Sequence, residues 1–356
     1  MKLRRLSFIN VASLIAIFSL TSCISTDTIE PEICPAETPV FLNLVAPSDA
    51  PTRADDGYKL RYTAKLYSGT DRQSNTVTVQ RQELIEGEEG GAGIKNQMVF
   101  YVPQGSPYVI YVFADYIPAN FERQSSNGLY KDYFYDTTLD KNVVRMLSTP
   151  GNKNTYNVAS SFFNNDRYDC FGGVAALEEN KTAEKVEFNL TLHRLVSKVR
   201  LVDNSKFSGY YDGEIQSITY LSQYTLKKSL SDETGWAPKT SNSKLTIFNN
   251  QEFSSGEEKE LFFFYTFATT GTVSPECPKL QMNITDHSEK TLATVISTGD
   301  IPVKRNQITT VKGKLLPGIS DEPEENPSIE EEGPIILNLS SSNEEWAQEE
   351  STWQSN

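Results

Sequence analysis

From Tyr58 onward the sequence is a succession of short runs in which apolar or β-branched residues alternate with polar ones, and this period of two limits the fold more than any other feature. In YKLRYTAKLY, Tyr58, Leu60, Tyr62, Ala64 and Leu66 fall on one face and Lys59, Arg61, Thr63 and Lys65 on the other, the mark of a half-buried strand. QMVFYV from Gln97, YVIYVFADY from Tyr108, VEFNLTL from Val186, VSKVRLV from Val196 and EIQSITYL from Glu214 read in the same way. So do SKLTIF from Ser243, LFFFYTF from Leu261, KLQMNIT from Lys279, TLATVIS from Thr291 and ITTVKGKLL from Ile308. Turn clusters such as PQGSP, SSNG, NNDRYD and STGD separate several of them. Beyond the N-terminal apolar run, no long segment carries a 3.6-residue stripe, so the expected class is all-β, with two sandwiches in tandem. The junction is NKTAEKVEFNLTLHRLVSKVRLV, where two strands run nearly head to tail around His193 and Arg194; it sets the domains at 38–194 and 195–317.

The flanks read differently. Lys2, Arg4 and Arg5 precede an apolar run from Phe8 to Leu20 that ends in LTSC. The run is too short to span a bilayer and small residues stand where a peptidase cuts, which makes residues 1–22 a secretory signal. LTSC resembles the bacterial lipobox, so Cys23 is the expected lipid anchor, and residues 23–37 become a tether to the outer membrane at the cell surface. An ordinary signal peptide with an incidental cysteine is the alternative. Each buried methylene of an acyl chain such as palmitate contributes about 0.8 kcal/mol, so two or three chains hold a protein far longer than one. Asp27, Glu30 and Glu32 follow at once, resembling an acidic surface-export signal or serving as a solvated tether. At the other end, PGISDEPEENPSIEEEG is too charged and proline-rich to pack, making 318–333 a flexible linker.

Composition removes several functions. A net charge of −14 and a pI near 4.8 repel phosphate backbones, which excludes nucleic acid as the expected partner. With 18 Phe and 17 Tyr the chain supports real cores. Beyond Cys23 stand Cys34, Cys170 and Cys277, with no CxxC pair and only His193 and His287 to supply imidazole. No structural zinc site, and no cofactor, is expected. At most one disulfide forms, packed free thiols being the favoured state.

Catalysis finds no footing. GEEGGAGIKN from Gly87 lacks the Gly-Lys-Ser/Thr ending of a phosphate loop, and Glu86, Glu88 and Glu89 repel phosphate; it reads as a hairpin tip. His193 alternates with strand residues and has no recognisable nucleophile, so a structural role at the junction is expected. Asp115, Asp136 and Asp169 lie near aromatics as paired glycosidase carboxylates do, but aspartate at strand ends is ordinary turn chemistry. DTI at Asp27 and DTT at Asp136 match a bacterial O-glycosylation triplet. The expectation is that the protein is not an enzyme.

Two strings are nearly alike: PVFLNL from Pro39 to Leu44 and PIILNL from Pro334 to Leu339. Ile335, Leu337 and Leu339 match Val40, Leu42 and Leu44 on the apolar face. Both are also plausible as generic strand openings, and pairing of PIILNL within its own chain is a third reading. The terminal SSSNEEWAQEESTWQSN does not look like a strand; Trp346 and Trp353 cover the donor site or dock elsewhere.

The order of features is similar to that of the fimbrillin-like lipoproteins, the subunits of type V pili. The likeness covers the lipobox at Cys23, the arginine of APTRADD, the strand ending FADY, the segment RYDCFGG, the LTLHRLVSKVRL junction and the closing IPVKRNQITTVKGKLL. It implies two transthyretin-like β-sandwiches. It also implies that an arginine-specific protease cuts between Arg53 and Ala54, removing the lipid and the PVFLNL strand, after which a strand from the neighbouring subunit fills the groove. An unprocessed subunit would serve as anchor. On this reading residues 334–356 hold the donor strand and a tail, on a linker with a reach of roughly 20 Å. The partners are other pilus subunits or further copies of this chain, with a host or bacterial surface ligand beyond them. The rival reading is a monomeric surface lipoprotein that binds glycan on platforms built from its tyrosines and three tryptophans.

Overall fold

The computed structural model describes residues 37–46, 57–68, 80–90, 93–105, 107–139, 142–155, 157–177, 185–203, 208–226, 238–242, 244–254, 258–268, 279–286, 291–296, 301, 303–313, 316 and 340–345. Within them the chain is almost wholly strand. In order these are β1 (Glu37–Val45), β2 (Tyr58–Ser68), β3 (Gln80–Ile85), β4 (Gln97–Pro103), β5 (Tyr108–Pro118), β6 (Tyr135–Asp136), β7 (Val143–Met146), β8 (Cys170–Leu177), β9 (Val186–Thr191) and β10 (His193–Arg194). There follow β11 (Val196–Asp203), β12 (Gly209–Leu221), β13 (Gln223–Thr225), β14 (Pro238–Ser241), β15 (Leu245–Phe253), β16 (Lys259–Phe267), β17 (Lys279–Asp286), β18 (Thr291–Ile296), β19 (Gln307–Gly313) and β20 (Ser340–Glu345). The all-β class expected from the period of two is what the chain adopts. Among the described residues no helix is long and apolar enough to cross a membrane.

Five sheets result. One has the order β4-β1-β9, a second β10-β8-β5-β2-β3, a third β16-β11-β19-β20 and a fourth β14-β12-β17-β18, with β15 also on β12. A small fifth sheet, β13-β7-β6, joins strands that come before and after the His193–Arg194 junction. The first and third sheets are built alike: β1 lies antiparallel to β4 and parallel to β9, and β11 lies antiparallel to β16 and parallel to β19. One apolar core runs through described residues of all five, from Val40 to Leu316.

Two expectations are corrected. The strand at Tyr58 is not half-buried: Arg61, Thr63 and Lys65 are buried along with Leu60, Tyr62, Ala64 and Leu66. The chain between β5 and β8 covers the polar face, Lys65 Nζ reaching the carbonyl of Leu139 at 2.8 Å and Arg61 meeting carboxylates. Buried charges that are paired in this way are tolerated. SSSNEE, the start of the terminal segment that does not look like a strand in sequence, is β20, antiparallel to β19 with Ser340 opposite Lys312 and Glu345 opposite Gln307. Main-chain pairing along an open edge needs no apolar face.

The sheet containing β8 lies close under β9 because of two glycines. A Cβ at Gly173 would stand 3.0 Å from Leu192 and 3.2 Å from Leu190, and one at Gly172 2.8 Å from Leu195. A side chain at either position makes the leucine methyl groups above it shift, more at Gly172 than at Gly173.

Candidate functional site

Strand β1 sits between two neighbours. Its sequence ETPVFLNLV alternates, so Val40, Leu42 and Leu44 point into the core, the first two with no exposed surface, while Pro39, Phe41 and Asn43 are half-buried on the outer side. Along β4, Val40 lies opposite Phe100 and Leu42 opposite Met98; along β9, Leu42 lies opposite Phe188 and Leu44 opposite Leu190. The amide of Leu44 donates to the Asn96 carbonyl at 2.9 Å, and that of Leu192 donates to the Val45 carbonyl at 3.0 Å. Each buried Val or Leu contributes on the order of 1.5–3 kcal/mol. Removing the strand therefore exposes an apolar floor and two rows of unpaired main-chain groups.

On the outer side Asn43 holds the three strands together. Its Nδ2 donates to Glu187 Oε1 at 3.0 Å and to Asn189 Oδ1 at 2.9 Å, and its Oδ1 accepts from Gln97 Nε2 at 2.7 Å. Sequence reasoning, which named only Val40, Leu42 and Leu44 of this string, missed this polar key. Its repetition in the second string was the signal available.

The other predicted site residues lie outside the described residues: Cys23, Arg53 and Ala54 at the N-terminal end, Ile335, Leu337 and Leu339 at the C-terminal end. Cys34, Cys277, Trp346 and Trp353 lie outside them as well. Directly after Leu339, β20 is the outermost strand of its sheet.

The carboxylates weighed for catalysis are held by cations. Asp115 receives Arg61 Nε and Nη2, both at 2.9 Å, and Arg61 Nη2 is also 3.0 Å from Asp132. Arg81 reaches Glu83 at 2.6 Å, Lys153 reaches Asp132 at 2.7 Å and Asp136 at 2.8 Å, and Arg145 reaches Asp136 at 2.8 Å. Complete burial pushes the Asp115 carboxyl up to about 6 against the pull of Arg61. Asp136 goes the other way, well below the ordinary carboxylate range, because Lys153 and Thr138 hydrogen bonds outweigh its burial. Asp169 accepts from Arg194 at 2.8 and 2.9 Å.

His193 is pushed below its ordinary value by burial and then by Arg305. Cys170 is a buried free thiol whose pKa burial raises far up, leaving it inert. In the connection between β3 and β4, which lie in different sheets and form no hairpin, Glu88 accepts from Tyr130 Oη and pairs with Arg123, both at 3.2 Å, which is packing chemistry. No group of three or more potential metal ligands occurs among the described residues.

A family model described as a family of unknown function (DUF6562) matches residues 35–339, a span that encloses both strings. No curated protein matches the sequence. Solved structures to which the chain shows similarity include a protein provisionally described as a cell adhesion protein from Bacteroides eggerthii, 14% identical over 88% of this chain and 96% of that one, with a TM-score of 0.42. The fimbrial anchor protein Mfa2 from Porphyromonas gingivalis is 9% identical over 78% of this chain and 91% of its own, with a TM-score of 0.41. The tip fimbrial protein Mfa3 from the same organism is 12% identical over 87% of this chain and 100% of its own, with a TM-score of 0.38.

Proposed function

We infer that this chain, which belongs to the family of unknown function DUF6562, is a structural subunit of a cell-surface fimbria, exported as a lipoprotein through Cys23 and assembled by exchange of one strand. The observation that supports this most is the place of β1. It is the middle strand of its sheet, bonded on both sides, yet it precedes every other described element. A cut between Arg53 and Ala54 separates it from the rest of the chain without severing any other described strand.

Loss of β1 leaves β4 and β9 with facing unpaired edges. A strand with apolar residues at every second position satisfies both, the main chain giving affinity and the side chains selecting the face. Ile335, Leu337 and Leu339 of a second copy repeat the pattern of Val40, Leu42 and Leu44, and the partner is accordingly another subunit or another copy. The division into two domains at 194/195 belongs to this reading, β10 closing the second sheet and β11 opening the third. The glycan-binding alternative draws on tyrosines as stacking platforms, but Tyr62, Tyr67, Tyr116, Tyr135, Tyr168, Tyr220 and Tyr265 are among the largest fully buried side chains. Those rings serve the core.

Sequencing the N-terminus of protein sheared from cells tests the reading. Polymeric material beginning at Ala54 is expected. A chain found only as a monomer that keeps lipidated Cys23 and melts higher with saccharide overturns it.

A further inference from the structure

The apolar side of β1 cannot by itself position a strand. Val40, Leu42 and Leu44 recur every second residue, so a shift of two along the slot buries the same face again. Asn43 removes that ambiguity. At its position the slot offers one carboxamide donor from β4, Gln97 Nε2, and two acceptors from β9, Glu187 Oε1 and Asn189 Oδ1, all within 3.0 Å of its side chain. Asparagine carries the matching acceptor and donors on one short side chain.

Positions two residues away do not offer this set. Phe41 lies between Val99 and Glu187, and Val45 lies beside Thr191. Gln97 is itself 3% exposed, and its Oε1 has no hydrogen-bond partner among the described residues, so the bond to Asn43 is what engages its amide. An apolar residue facing it would strand a second buried polar atom.

The C-terminal string keeps this asparagine in place. Asn338 stands between Leu337 and Leu339 as Asn43 stands between Leu42 and Leu44, while the neighbouring outward position changes freely from Phe41 to Ile336. We propose that Gln97, Glu187 and Asn189 form a register-reading site in the β1 slot, and that the residue it reads in an assembled chain is Asn338 of a second copy. The proposal rests on the strand-exchange reading above and adds what fixes the donor's position along the slot.

The test uses the full chain carrying Ile336→Cys together with either Val99→Cys or Tyr101→Cys, treated with an arginine-specific protease and oxidised. Val99 is the partner of position 41 and Tyr101 that of position 39, so the first pair reports the read register and the second a slip of two. With Asn338 present, dimers linked through 99 are expected to exceed those through 101 by about tenfold, and Asn338→Val is expected to bring that ratio down to about one. An unchanged ratio in the Asn338→Val chain overturns the register site and leaves strand exchange standing. If the Asn338 chain yields no cross-linked dimer with either partner, both fall.

Discussion

Arg61 and Asp115 lie directly opposite each other across β2 and β5, joined by two hydrogen bonds of 2.9 Å with neither side chain exposed. Taking one partner away leaves the other charged in a dry site, which costs far more than the pair itself contributes. Asp115→Leu is therefore expected to lower the unfolding free energy by about 3–5 kcal/mol. Asp132 and Glu83 remain near Arg61, at 3.0 and 3.6 Å, and keep the loss toward the lower end. Urea unfolding of the two chains measures it; a change below about 1 kcal/mol refutes the pair's role.

The pairing shows how far the sequence could be read. The β-branched and aromatic runs located the strands and gave the class, but alternation misjudged the faces of β2 and β5, which are buried on both sides along most of their length. What alternation does not contain is what covers the second face. Arg61 and Lys65 read as solvent-facing because nothing local announces that the chain after Pro118 returns over them. CFGGVAAL, which forms β8, carries paired glycines instead of a polar-apolar alternation and is absent from the strands the pattern picks out. In the fold Gly172 and Gly173 make room for leucines of β9 and the residues after it, a need visible only in three dimensions. At the site, Val40, Leu42 and Leu44 were legible as a buried stripe, whereas Asn43 acquires meaning only once Gln97 and Asn189 flank it.

Strand β1 itself should carry a measurable share of the stability of the uncut chain. Leu42 has no exposed surface and lies opposite Met98 on one side and Phe188 on the other. Leu42→Ala is expected to cost about 2–5 kcal/mol through lost burial and the cavity left behind. Chemical denaturation of unprocessed protein provides the number, and an effect below about 0.5 kcal/mol contradicts a packed β1.

The pH dependence of His193 has a definite sign. Its pKa in the fold lies below the ordinary 6.5 because of burial, then Arg305. The unfolded chain thus takes up the proton first as pH falls, so the residue's contribution is intact above 6.5 and is lost on acidification through that value toward the folded pKa. Asp115 opposes this, its folded value of about 6 lying above the ordinary 3.8, so it adds stability as pH falls between the two. A difference measurement separates them: the stability of wild type relative to His193→Gln should shrink from pH 7.5 to pH 5. A constant difference across that range refutes the assignment.

The last described strand gives a prediction about the tail. β20 is composed of SSSNEE, with no apolar residue to bury, and runs along the outer edge of β19. Its hold on the fold is then main-chain hydrogen bonding, each bond worth about 0.5–1.5 kcal/mol net. A chain ending at Gly333 should remain folded, because the β16-β11-β19 sheet beneath is complete without it, while amides of β19 exchange faster with solvent. Hydrogen exchange read by mass spectrometry distinguishes the outcomes: acceleration confined to 307–313 supports an edge cap, and global loss of protection shows that the tail is part of the core. The same truncation removes Ile335, Leu337 and Leu339, so polymer formation after cleavage should cease while the monomer survives. Polymers that persist without residues 334–356 would mean that the strand entering the β1 slot comes from elsewhere.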